Sequence, residues 1–110
     1  FLYNAITINY QSTPINSNEN RYPVRFLLEQ NFPNPFNPNT KIRYELPERG
    51  FISIKVYDLL ENEIATIVNE EKPAGIYEVT WNAENFPSGV YVYQLIAGNY
   101  LQTRKMILLK

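Results

Sequence analysis

The sequence holds no cysteine, no histidine and a single aspartate, Asp58. Without cysteine there are no disulfides, thiolate nucleophiles or thiol redox steps. Without histidine there is no Ser-His-Asp or Cys-His machinery, and the usual nitrogen and sulfur metal ligands are missing. Most of the enzyme toolkit is therefore absent, and no motif asks for a cofactor. Glycine is scarce, at 4 residues in 110. No apolar run approaches the ~20 residues of a membrane helix, so no membrane insertion is expected. The net charge of -1 lacks the basic excess that suits nucleic acid or an anionic membrane surface. There is no initiator Met and no leader pattern at Phe1, so the chain reads as an internal or C-terminal piece of a longer protein.

What is present points to a β protein. Aromatic residues make up 15% of the chain, with 9 Tyr and 6 Phe, and 8 prolines accompany many asparagines. Aromatic and β-branched residues suit pleated, half-buried surfaces, and Pro and Asn supply turns. A chain of 110 residues makes one domain, or one small domain with a tail.

Tyr3 to Tyr10 alternates with the period of a strand. Residues 11–25 are rich in Asn and Ser, carry Pro14, and read as a linker. Residues 1–10 are then either the terminal strand of an upstream domain or a tail lying on the main one. The main domain is expected over 26–110. Phe26 to Leu28 gives a short strand. Thr40 to Leu46 sets Ile42, Tyr44 and Leu46 against Lys41, Arg43 and Glu45. Phe51 to Leu59 sets Ile52, Ile54 and Val56 inward and Ser53, Lys55 and Tyr57 outward. Tyr57, out of phase with the apolar side, is expected to be exposed or at a sheet edge. Glu61-Asn62 reads as a turn, followed by a strand from Glu63 to Val68. Ile76 to Trp81 alternates, Pro87-Ser88-Gly89 turns, and Val90 to Ala97 places Tyr91, Tyr93 and Leu95 on one face. Gly98-Asn99 is a hairpin turn, since both tolerate positive φ, and Tyr100 to Leu109 returns. Asp58 to Asn69 also fits an amphipathic helix, but its β-branched residues and mid-run turn favour strand-turn-strand. About seven short strands argue for an all-β, immunoglobulin-like β-sandwich.

Several groups could carry chemistry. Glu61, Glu63, Glu70 and Glu71 cluster in sequence, but beside turns, where solvated carboxylates are the rule. One aspartate and no D-x-D-x-D pattern leave calcium without a ligand set. Tyr44, Tyr57, Tyr77, Trp81, Tyr91, Tyr93 and Tyr100 could stack on sugars. Most of them fall on the apolar face of a strand, which makes them core residues with hydroxyls at the rim. Arg104, Lys105 and Lys110 frame an apolar end, Met106, Ile107, Leu108 and Leu109. It reads either as an edge strand with charged gatekeepers or as a strand that another protein reads by pairing. Asn31 to Thr40 holds Pro33, Pro35 and Pro38, which fix φ and remove three donors. This segment reads as a stiff, non-pairing lead-in anchored by Phe32 and Phe36.

Here the sequence resembles a known family. Leu28-Glu29-Gln30-Asn31-Phe32-Pro33-Asn34-Pro35-Phe36-Asn37-Pro38-Asn39-Thr40-Lys41-Ile42 is similar to the start of the type A C-terminal sorting domain of the type IX secretion system of Bacteroidetes and related phyla. Val56-Tyr57-Asp58, Ala74-Gly75-Ile76-Tyr77 through Thr80-Trp81-Asn82-Ala83, Ser88-Gly89-Val90-Tyr91 and Gln102 to Lys110 follow in the family's order. Leu60-Glu61-Asn62 departs from it, because many members carry Gly in this turn. Tyr3 to Tyr10 resembles, weakly, the closing strand of a β-propeller repeat in such cargo. The resemblance implies a non-catalytic secretion address with a sandwich fold. It implies folding in the periplasm, recognition by an outer-membrane shuttle and translocon, and removal by a sortase-like peptidase. Cargo would then reach the cell surface or the medium. Carried over, Gly89, Tyr91 and the strand from Arg104 and Lys105 to Lys110 are the recognition residues, with a turn glycine and a core tyrosine as the plainer readings. Pro33, Asn34, Pro35, Phe36 and Pro38 form the structural motif, and cleavage would fall within 11–25. The alternatives are a carbohydrate-binding module and a passive spacer or adhesion domain.

Overall fold

The computed structural model describes residues 23–110. The expectations for Tyr3 to Tyr10, and for most of the 11–25 linker, lie outside the described residues. The described chain is all β. Its strands are β1 (Leu27–Leu28), β2 (Asn39–Leu46), β3 (Gly50–Tyr57), β4 (Glu63–Lys72), β5 (Gly75–Asn82), β6 (Gly89–Ala97) and β7 (Tyr100–Leu108). They form two antiparallel sheets with orders β1-β2-β5 and β4-β3-β6-β7. This is the immunoglobulin-like sandwich that the strand count predicts, with β4 joined to the larger sheet.

The period-two pattern explains the packing. Ile42, Tyr44 and Leu46 from β2 meet Ile52, Ile54 and Val56 from β3 and Tyr93 and Leu95 from β6, all at most 1% exposed. Each such aliphatic side chain contributes about 1.5–3 kcal/mol on burial. The two fully buried phenols, Tyr44 and Tyr93, fare differently. The Tyr93 hydroxyl donates to the Glu29 carbonyl at 2.6 Å, whereas the Tyr44 hydroxyl has no partner. Tyr44 instead stacks on Tyr77, with ring centroids 5.3 Å apart.

Three expectations need correction. Glu45 lies in the outward phase of β2 but is 4% exposed, because β2 is the central strand and Glu45 sits between Leu27 and Ile76. Tyr57 is half-buried on the outer face and pairs with Val92. It is not at an edge, since β3 lies between β4 and β6. The fourth strand runs to Lys72 rather than ending at Val68. Its register shifts twice, leaving Ile64 and Ile67 unpaired opposite β3. These two bulges return Ile64, Ala65, Ile67 and Val68 to the core. They also account for the helix-like spacing, since a bulge resets the phase of a strand.

The β3–β4 connection keeps its turn without glycine: Glu61 takes φ 68°. The Gly98-Asn99 hairpin spends positive φ at Gly98 alone, at φ 60°. That is the arrangement of a turn with Gly at the first central position.

Replacing Glu61 by Gly should raise stability by about 0.5–1 kcal/mol, the left-handed cost less the entropy of a freer unfolded chain. Denaturant melts of the two proteins measure it. Burial pushes the phenols of Tyr44 and Tyr93 up to about 12. Protons held more tightly in the fold than in the unfolded chain stabilise it below the ordinary phenol value of 10.0. That contribution should fade as pH rises from there toward 12. Tyrosinate absorbance should show two phenols ionising together with unfolding.

Candidate functional site

The C-terminal strand is the natural starting point, because its inner side is core and its outer side is exposed. Met106 and Leu108 are fully buried, whereas Leu109 and Ile107 are 55% and 38% exposed. By strand order β7 is an edge. Its outer backbone is nonetheless occupied along its C-terminal half. Gln30 Nε2 donates to the Lys105 carbonyl at 2.6 Å. The Ile107 amide donates to Asn34 Oδ1 at 2.9 Å. The Phe36 amide donates to the Ile107 carbonyl at 2.9 Å, and the Leu109 amide to the Phe36 carbonyl at 3.0 Å. Toward Leu101 and Thr103 the edge is bare among the described residues.

The Pro-Asn segment is therefore a clasp, not the non-pairing lead-in its composition suggests. Phe36 bridges Leu108, and Phe32 bridges Lys41. Proline still shapes the pattern, because the paired amides, those of Phe32 and Phe36, fall at positions the prolines leave free. Of the two expected anchors, Phe36 is buried at 2% while Phe32 is 77% exposed. The second anchor is polar. Buried Asn31 donates through Nδ2 to Thr40 Oγ1 at 2.9 Å and to the Pro33 carbonyl at 3.1 Å. The Thr40 hydroxyl donates to the same carbonyl at 2.9 Å. Sequence reasoning passed over Asn31 and Thr40, which read as ordinary loop and strand residues.

The basic end divides by role. Arg104 Nε donates to the Leu28 carbonyl at 2.7 Å. The Lys110 ammonium donates to the Glu84 and Phe86 carbonyls at 2.6 and 2.9 Å, and the Lys110 amide to Ser88 Oγ at 2.9 Å. Both cations thus hold the strand in place. Lys105 is exposed on the outer face, opposite Val92.

Tyr91 is a core residue, 5% exposed. Its ring packs edge-on against Trp81 and Phe86. Its hydroxyl donates to the Pro87 carbonyl at 2.5 Å, the tyrosine corner of immunoglobulin-like sandwiches. Burial, then the Asp58 carboxylate, push its phenol up. A second corner stands at the start of β5, where the Tyr77 hydroxyl donates to the Pro73 carbonyl at 2.6 Å. The signal for both is a repeated spacing, Pro73-Ala74-Gly75-Ile76-Tyr77 and Pro87-Ser88-Gly89-Val90-Tyr91. The two glycines differ. A Cβ on Gly75 would stand 3.3 Å from the Tyr77 hydroxyl, whereas a Cβ on Gly89 would meet nothing within 4 Å.

These parts meet at one end of the sandwich, the C-terminal pole. Phe36 packs on Trp81 at 5.9 Å, Trp81 on Tyr91 at 6.0 Å, and Lys110 ties into the Glu84–Ser88 loop. Asp58 caps the neighbouring β3–β4 loop. Its Oδ1 accepts from the amides of Leu60 and Asn62, both at 2.9 Å. Ala74 to Tyr77 lies at the opposite end, as do the Gly98-Asn99 hairpin, Glu70 and Glu71.

The remaining candidates disperse. Glu63, Glu70 and Glu71 pair with Lys55, Lys72 and Arg49 at 3.4, 3.3 and 3.9 Å. Such surface pairs are worth about 0–1 kcal/mol each. No group of three or more acids among the described residues is placed to hold a metal. Tyr44, Trp81 and Tyr93 are buried and offer no sugar platform, and the half-buried Tyr77 stacks on Tyr44.

Hydrogen bonds from Asn62 hold the Asp58 carboxyl below its ordinary value of 3.8. A lowered value means stability that is present above the unfolded-state pKa and lost as pH falls through the folded-state one. The melting-temperature gap between the wild type and Asp58→Asn should therefore be widest near neutrality and close below pH 3.8. Thermal melts across that range check it.

Compared with known proteins, residues 30–109 match the model of the family described as the secretion system C-terminal sorting domain. Among solved structures the chain is similar to part of the crystal structure of dimeric latent PorU from Porphyromonas gingivalis. The TM-score is 0.60 at 14% identity, over 79% of this chain and 10% of that one. At that identity the likeness bears on the fold alone, and this chain spans only that tenth of the PorU length. No curated protein matches.

Proposed function

This chain belongs to the family of type IX secretion C-terminal sorting domains, and from that membership we propose that its C-terminal pole is the surface the export machinery reads. The family is one of non-catalytic sorting signals, and membership means export toward the cell surface or the medium. The finer steps belong to the proposal. The domain folds in the periplasm behind its cargo. An outer-membrane shuttle and the translocon bind the pole, with Gly89 and the outer residues of β7, Lys105, Ile107 and Leu109, in contact. A sortase-like peptidase then cuts within 11–25. Met106, Leu108, Arg104, Lys110 and Tyr91 act indirectly, by holding that surface in shape.

One observation carries this reading. Segments far apart in sequence converge at the pole around a glycine, Gly89, that has open space above it. A glycine with room for a side chain and an ordinary φ is not required by its own fold. It fits a site where another backbone approaches closely. The carbohydrate-binding alternative loses its platform with the burial of Tyr44, Trp81 and Tyr93. The spacer alternative is separated only by transport.

The test fuses the chain to a folded reporter carrying a signal peptide, in a type IX-competent host and a translocon-null sibling. Reporter outside the cell in the competent strain alone is the expected result. Deletion of Met106 to Lys110 should trap it in the periplasm, although that deletion also removes core. Gly89→Ala isolates recognition. Its melting temperature should hold or rise, by about 0.4–1 kcal/mol in stability, while export falls. Wild-type export of both variants would sink the reading.

A further inference from the structure

The β3–β4 loop presents two large apolar side chains on a rigid frame. Leu60 is 83% exposed and Leu59 65%. The five-residue loop is held from within. The Asp58 amide donates to the Asn62 carbonyl and the Glu61 amide to the Asp58 carbonyl, both at 3.0 Å. Asp58 Oδ2 accepts from Asn62 Nδ2 at 3.1 Å, beside the two amide bonds to Oδ1 already described. A loop so cross-braced has given up its freedom before any partner arrives. Two adjacent exposed leucines on such a loop are the geometry of an interface anchor, since little ordering remains to be done on binding. Core packing does not use them.

The surroundings define the partner. Beside Leu59 lies a hollow of about 440 Å³, lined by Tyr57, Asp58, Leu59, Glu61, Val92 and Gln94. Its charged lining is two carboxylates and no cation. Of the lysines on the same outer face, Lys55 is paired with Glu63 at 3.4 Å, and the exposed Lys105 stands on β7 opposite Val92. The half-buried Tyr57 lines the same hollow and pairs with Val92. A carboxylate pair beside an aromatic ring suits a guanidinium or ammonium group, which the ring face also attracts.

We propose that Leu59 and Leu60 are a preformed anchor that inserts into an apolar socket on a protein of the export apparatus, and that a Lys or Arg at the socket's rim fills the acidic hollow. This rests on the sorting reading and adds to it a second contact point beside Gly89. Charge selects a protein over the alternatives. An anionic lipid surface would face Asp58 and Glu61 with charge of the same sign. Two copies meeting tip to tip would bring four carboxylates together.

The experiment uses the full chain behind the same reporter, with three variants. Leu59→Ser/Leu60→Ser removes the anchor and Glu61→Lys reverses the rim. Phe51→Ser removes an exposed aromatic, 60% exposed, at the far end of the sandwich. All should melt with the wild type. Should the double variant melt early, Glu61→Lys decides, because Lys tolerates the same backbone no worse than Glu. The anchor and rim variants should each cut the exported fraction, the former about tenfold or more, as loss of a hot-spot pair does. Phe51→Ser should export normally. Wild-type export of the anchor variant, or an equal loss in Phe51→Ser, overturns the proposal. So does anchor-dependent flotation with phosphatidylethanolamine–phosphatidylglycerol vesicles, which assigns the leucines to lipid. An anchor-dependent dimer in sedimentation overturns it too, assigning them to a second copy. Retention of the wild-type fusion itself in the competent strain sinks the sorting reading, and this docking site with it.

Discussion

The clasp of the Gln30–Phe36 segment on the outer edge of β7 joins the first and last parts of the sandwich. An edge strand exposes a row of unpaired amides and carbonyls. Here Gln30, Asn34 and Phe36 meet four of those groups between Lys105 and Leu109. The chain just before it accepts Arg104 and Tyr93 on the carbonyls of Leu28 and Glu29. The smaller sheet is thereby tied to the larger through the terminal strand. Without this clasp, Met106 and Leu108 would have to hold β7 by packing and by β6 alone.

The clasp also bears on how the terminal strand can be read. A partner strand cannot add to β7 between Lys105 and Leu109 while Asn34 and Phe36 hold its outer groups. What those residues show to the outside is a set of side chains at fixed spacing: Lys105, Ile107 and Leu109. Next to them lie an open position over Gly89 and, across the end of β3, the cross-braced leucine loop. The pole is therefore a surface assembled from distant segments, and its cations are mostly spent on holding it together. Lys110 and Arg104 each bind carbonyl oxygens and so are held in place.

Much of the architecture was legible in the residues. Alternation placed β2, β3 and β6 with their inner faces, and β5 as a strand, because one apolar face must be buried and the side-chain period is two. The turn at Glu61-Asn62 was legible despite its missing glycine. The β4 register was not, because two bulges disguise a strand as a helix-like repeat. Nor was the burial of Glu45, which depends on neighbours on both sides of its strand. Phe32 and Phe36 look equivalent as residues, and only the bridge partners of each separate a buried ring from an exposed one.

By itself the sequence determined the class of this protein. The absence of His and Cys closed off catalysis by the common routes, the period-two runs dictated strands, and the ordered Pro-Asn, Gly-Val-Tyr and basic-apolar segments pointed to the sorting-domain family. Those are properties of composition and local spacing, which survive without long-range contacts. Tertiary structure alone decided which of these residues stay exposed. Tyr91 became a hydrogen-bonded corner and Lys110 a staple, while Gly89 was left with open space and Leu59 and Leu60 were left outside. The physical reason is that exposure and hydrogen-bond satisfaction are settled by chain segments tens of residues away, such as Glu84 for Lys110 and Asn34 for Ile107, and no local pattern records them.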